Sequence, residues 1–177
     1  MHIKNVACGV LLMGVGGMST ALAVSSPPEI SLKYTGSLVA EPCVIEPGDE
    51  EIRLDFGAII DKYLYLNTRT QSKSFEIRLS ECDLSIGKTV KVMFQGTESI
   101  ELPGLLAVDR KGIAIGLETL EAKPLPINKE SDEYPLHAGN SLIALKAYVQ
   151  GEPRAITDKT IARGPFSAVA TFSLEYE

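Results

Sequence analysis

A chain of 177 residues with 45% hydrophobic content is long enough to build one globular domain with a real core and too apolar for a disordered polymer. Its formal charge of −6 and pI near 5.0, without any basic run, argue against nucleic acid or an anionic membrane surface as partner. No internal repeat, low-complexity tract or composition break marks a second domain.

The first residues, "MHIKNVACGVLLMGVGGMSTALAV", carry Lys4, an uncharged apolar run from Val6, and Ala21-Leu22-Ala23. This order of basic, apolar and small-residue regions predicts a secretory signal peptide over residues 1–23. Cleavage removes Lys4 and no carboxylate, taking the charge to −7, and discards Cys8. Two cysteines then remain, Cys43 and Cys82, and an even pair in an oxidising compartment reads as a disulfide. In the chain-entropy picture, closing a loop of that length contributes about 4 kcal/mol.

Next comes "VSSPPEISLKYTG", where Pro27 and Pro28 exclude helix and an alternation of Ile30, Leu32 and Tyr34 follows. That alternation fits either the first core strand or a segment that pairs elsewhere. From Gly36 onward short apolar runs alternate with turn signals at the spacing of an all-β sandwich. The predicted strands are "SLVAEPCVI", "EIRLDFG", "SFEIRLSEC", "TVKVMFQG", "GIAIGLET", "SLIALKAYVQG" and the terminal "GPFSAVATFSLEYE". Phe75, Ile77 and Leu79 share one face, as do Val90, Val92 and Phe94. "SLIALKAY" could form a short helix in isolation, but its neighbours favour strand. In the terminal run Phe166, Ala168, Ala170, Phe172, Leu174 and Tyr176 alternate with mostly polar residues, which is a strand with one buried face. A run of that length needs a partner to hold it.

Catalytic constellations are sparse. The mature chain keeps a single histidine, His137 in the turn-like "YPLHAGN", which rules out multi-histidine zinc sites. No nucleophile elbow, Cys-x-x-Cys pair, phosphate-binding glycine loop or His-Glu-x-x-His helix is present. The carboxylates of "EPGDEEIRLD" and "NKESDE" lack metal-loop spacing and read as solvated loops. The residues thus point to a non-enzyme with no cofactor and no metal site.

With "PCVI" around Cys43, "SFEIRLSEC" leading to Cys82, "GKTVKVMFQGTE", "GIAIGL", "GNSL" and the terminal "GPFSAVATFSLEYE", the mature chain resembles pilin subunits of the chaperone–usher pathway. Gly164, fourteenth from the end, and the penultimate Tyr176 match that family's C-terminal signature. The resemblance implies an incomplete immunoglobulin-like sandwich lacking its final strand, completed by a strand from a periplasmic chaperone and then from a neighbouring subunit at the outer-membrane usher. It implies a cleaved signal over 1–23, a donor-strand extension over 24–35 bearing Ile30, Leu32 and Tyr34, and a pilin domain over 36–177. Gly164, Phe166, Ala168, Ala170, Phe172, Leu174 and Tyr176 would flank the acceptor groove, and the carboxylate of Glu177 would be anchored by the chaperone. Many arms of the family carry a glycine facing a shallow pocket, and Val24 to Thr35 contains none.

"GKTVKVMFQGTESIELPG" and "AVATFSLEYE" are most similar to the adaptor between the tip fibrillum and the rod of P pili. The implied role is a minor, adaptor-type subunit of an adhesive fimbria, passing through the periplasm to the extracellular pilus. The competing expectation is a complete secreted sandwich that binds a ligand. The absence of Trp and a total of eleven Phe and Tyr leave that module little for sugar stacking. A secreted hydrolase, the third expectation, would need His137 or a carboxylate pair to be essential.

Overall fold

In the computed structural model, which describes residues 33–177, two β-sheets enclose one core. The first sheet takes β1 (Val44–Ile45), β2 (Lys73–Cys82), β4 (Leu106–Ala107), β5 (Ile113–Thr119) and β8 (Gly139–Gly151) in the order β1-β2-β8-β5-β4, with β6 (Pro124–Leu125) also pairing β5. The second takes β3 (Thr89–Gln95), β7 (Tyr134–Pro135) and β9 (Thr171–Tyr176) in the order β7-β3-β9. All pairings are antiparallel.

Period-two sequence places the core. Ile77 and Leu79 of β2 with Ile143 and Leu145 of β8 point inward from the first sheet, and Val90, Val92 and Phe94 of β3 meet them from the second, all buried. "SLIALKAYVQG" lies wholly within β8, a strand of 13 residues. Its register sets Leu145 opposite Phe75 and Ile143 opposite Ile77, so both strands turn their apolar faces the same way. Cys43 and Cys82 form a disulfide that ties the chain ahead of β1 to the end of β2.

Three segments depart from the sequence reading. "SLVAEPCVI" yields a ladder only at Val44–Ile45. "EIRLDFG" forms no ladder at all, although Ile52, Leu54 and Phe56 are half-buried and Glu51, Arg53, Asp55 and Gly57 exposed. Two short helices appear that no periodicity announced: α1 (Asp61–Asn67), which turns Leu64 into the core, and α2 (Pro153–Thr157). Seven and five residues are too few to display a 3.6-residue period. Pro153 begins α2 with its φ already set for a helix.

Residues Leu38–Glu177 form one compact unit. The described residues ahead of it, Lys33–Ser37, belong to no helix or strand and are exposed.

Candidate functional site

A groove of about 1200 Å³ with an apolar lining opens onto the core. Its floor is core: Phe75 and Phe94 meet edge to face with centroids 6.1 Å apart, and Leu106, Ile113, Ile115, Leu117 and Ala147 continue the surface. Its two lips are extended chain. One runs over residues 52–60 and the other over 161–172.

Both lips carry strand periodicity, the first with no ladder partner and the second with one edge unpaired. On the first, Ile52, Leu54 and Phe56 face inward, yet no backbone-to-backbone hydrogen bond joins Ile52–Ile59 to any described residue. On the second, Phe166, Ala168, Ala170 and Phe172 are half-buried while Ser167, Val169 and Thr171 are exposed. From Thr171 that lip becomes β9, whose ladder with β3 uses one edge; β9 is the last strand of its sheet, so the edge toward the groove is open. Unpaired backbone amides and carbonyls along an apolar trough are a template for an added strand.

The second lip is the firmly held one. Ser167 donates from its N–H and its hydroxyl to the Asp109 carboxylate at 2.7 and 2.9 Å, and its carbonyl accepts from the Asp109 N–H at 3.1 Å. These bonds hold the Asp109 carboxyl below the usual carboxylate value. Arg110 donates twice to the Pro165 carbonyl, at 3.1 and 2.7 Å. Gly164 sits at φ 128°, where a side chain would be strained and its Cβ would lie 3.3 Å from the Arg110 guanidinium. The first lip has fewer ties, among them the Lys73 ammonium on the Asp55 carbonyl at 2.7 Å.

The remaining sequence-predicted residues lie as follows. Leu174 and Tyr176 are half-buried against the core below the groove, and the Tyr176 hydroxyl donates to the Cys43 carbonyl at 3.4 Å. Burial pushes that hydroxyl's pKa upward. The Glu177 backbone oxygen accepts from the Lys88 and Thr89 N–H groups at 2.7 and 3.0 Å, and its side chain pairs with Lys91. Tyr34 is 88% exposed, while Ile30, Leu32 and the expected signal peptide lie outside the described residues. Beyond Tyr34 the alternation continues through Gly36 to Leu38, also fully exposed. The reading of the sequence missed the first lip as groove wall, because Ile52, Leu54 and Phe56 look like any half-buried strand.

The profile of the family described as Fimbrial protein matches residues 32–177. The chain belongs to the fimbrial protein family. Among relatives of this fimbrial protein, the Fimbria A protein of Serratia marcescens is 29% identical over 98% of either chain. The fimbrial adapter PapK of Escherichia coli is 32% identical over 95% of this chain and 97% of PapK. The crystal structure of the P pilus rod subunit PapA superposes with a TM-score of 0.69 at 24% identity, covering 77% of this chain and all of PapA. The fold of this fimbrial protein is therefore the incomplete immunoglobulin-like sandwich of pilins.

Proposed function

We propose that this fimbrial protein is a non-catalytic structural subunit of an adhesive pilus that polymerises by donor-strand exchange. A periplasmic chaperone fills the groove first, anchoring Glu177, and at the outer-membrane usher the extension of a neighbouring subunit replaces it. The observation that carries this reading is the pair of lips with alternating apolar side chains facing one another over an apolar floor, the first with no backbone ladder and the second continuing into β9, whose groove-side edge is open. A groove of this size exceeds the usual 300–1,000 Å³ of small-molecule pockets and suits an extended polypeptide. Likeness to PapK, an adapter by name, supports a minor, adaptor-type position in the pilus.

The subunit's own extension supplies the complementary half. Ile30, Leu32 and Tyr34 are its knobs, each contributing roughly 1.5–3 kcal/mol when buried.

The test is thermal unfolding of residues 24–177 with and without a synthetic peptide that bears the alternating apolar pattern of a pilin donor arm. At a peptide concentration 100 times its Kd the gain is about 2.7 kcal/mol, or a rise in Tm of about 5–10 °C for a domain of this size. A chain that is stable alone and indifferent to the peptide would instead be a complete sandwich, and the groove a ligand site. Deleting residues 24–35 should leave chaperone binding intact and abolish docking into the next subunit.

A further inference from the structure

The two lips touch at one end of the groove. Arg163, at the start of the second lip, donates from Nε to Asp61 Oδ2 at 2.8 Å with Nη2 2.7 Å from the same oxygen, and Asp61 directly follows the first lip. Five residues back along the first lip, Phe56 meets Phe166 with ring centroids 6.3 Å apart. The Asp61 side chain is 16% exposed and Arg163 lies over it at 83%, so the pair spans the groove as a bar on its solvent side. Arg163 and its hydrogen bonds hold the Asp61 carboxyl below its ordinary value.

We propose that Asp61 and Arg163 form a latch that sets how fast a donor strand is admitted, an inference that rests on the strand-accepting groove argued above. The second lip is pinned to Asp109 and Arg110, whereas Ile52–Ile59 make no backbone-to-backbone bonds to described residues, so the first lip is the side that moves. The latch and the Phe56–Phe166 contact are the cross-groove ties at this end. An incoming strand that pairs with both lips must part Phe56 from Phe166, and the ion pair holds those lips together until it does. The latch therefore acts on the rate of loading more than on the filled state, in which the donor's own ladder bonds hold the lips.

The experiment is stopped-flow loading of a fluorophore-labelled peptide with the alternating apolar pattern of a pilin donor arm into the subunit released from its chaperone. The variants are Arg163→Gln, Asp61→Asn and the swapped pair Asp61→Arg with Arg163→Asp. The neutral variants should load about two- to five-fold faster, as loss of a largely exposed ion pair allows. The swap should return toward the wild-type rate, and raising salt should speed the wild type while leaving Arg163→Gln unchanged. Equal loading rates in wild type and both neutral variants, or a swap as fast as the neutral forms, would overturn the latch while leaving the groove intact. If the wild type takes up no peptide under any condition, the strand-accepting reading itself fails. Unfolding in urea alongside the kinetics separates a faster latch from a loosened fold, because a general loss of stability would lower the midpoint of the filled form as well.

Discussion

Replacing Arg69 with alanine should destabilise the domain and reverse the sign of the contribution that Glu118 makes to its response to acid. Glu118 on β5 is buried, and its carboxylate accepts from Arg69 at 3.0 and 3.3 Å and from the Ser72 hydroxyl at 2.6 Å, with Lys146 at 3.7 Å. Arg69 covers it while stacking 3.9 Å above the Tyr148 ring. Burial alone pushes the Glu118 carboxyl upward, but Ser72, Arg69 and Lys146 together outweigh it and leave it below the ordinary value. A depressed carboxyl contributes stability that is present above its unfolded pKa and is lost as pH falls through the folded one. Without Arg69 the burial penalty dominates, the carboxyl rises, and the sign inverts: the variant regains stability as pH falls and loses it as pH rises.

At pH 7 the cost is about 2–3 kcal/mol, below that of stripping a wholly buried pair, because Arg69 is partly exposed and Ser72 and Lys146 stay in place. Urea midpoints at pH 7 and pH 4, with peptide at fixed concentration, measure both effects. A loss of the same size at the two pH values would refute the reasoning.

Three further outcomes follow from single contacts. Cys43→Ser with Cys82→Ser removes the closure of a 39-residue separation and should lower stability by about 4 kcal/mol, read as the reduced-versus-oxidised difference in urea. Gly116→Ala would set a Cβ 2.2 Å from the Tyr148 ring directly across the ladder, so the ring must leave its place under Arg69; the expected cost is about 1–3 kcal/mol by thermal unfolding. Leu32→Asp in the extension should leave the subunit's own unfolding unchanged and weaken its docking into the next groove at least tenfold by pull-down titration, since a charge would replace a buried knob.

What the sequence disclosed and what it hid divide along one physical line. Alternation reports which face of a segment is buried, and β2, β3, β5, β8 and β9 were legible because their inward residues repeat every second position. Alternation carries no information on whether the backbone edges are paired. "EIRLDFG" therefore read as an ordinary strand, and only the structure shows its backbone without a ladder. The disulfide was legible because the mature chain leaves two cysteines. The Arg69–Glu118 pair bridges 49 positions and the Asp61–Arg163 latch 102, with no local pattern to betray either.

If the groove is a missing strand, the interactions that would steady the lone subunit are the same ones its partner supplies, and a substitution can be made to set them against each other. Ala168 lines the groove from the second lip and is half-buried beside the apolar floor. Ala168→Leu adds three carbons directed into empty apolar space, worth up to about 2 kcal/mol at roughly 0.8 kcal/mol per buried methylene. In a finished sandwich the same change would crowd a packed core and destabilise it by about 1–3 kcal/mol. The incomplete fold predicts opposite movements: a lone-chain Tm higher by about 4–8 °C and weaker uptake of the donor-arm peptide, because the new side chain occupies a donor knob's place. Paired melting and binding curves decide between the two. A lone chain made less stable by Ala168→Leu would show that the space beside this lip is already filled, and the groove could not be the acceptor of a strand.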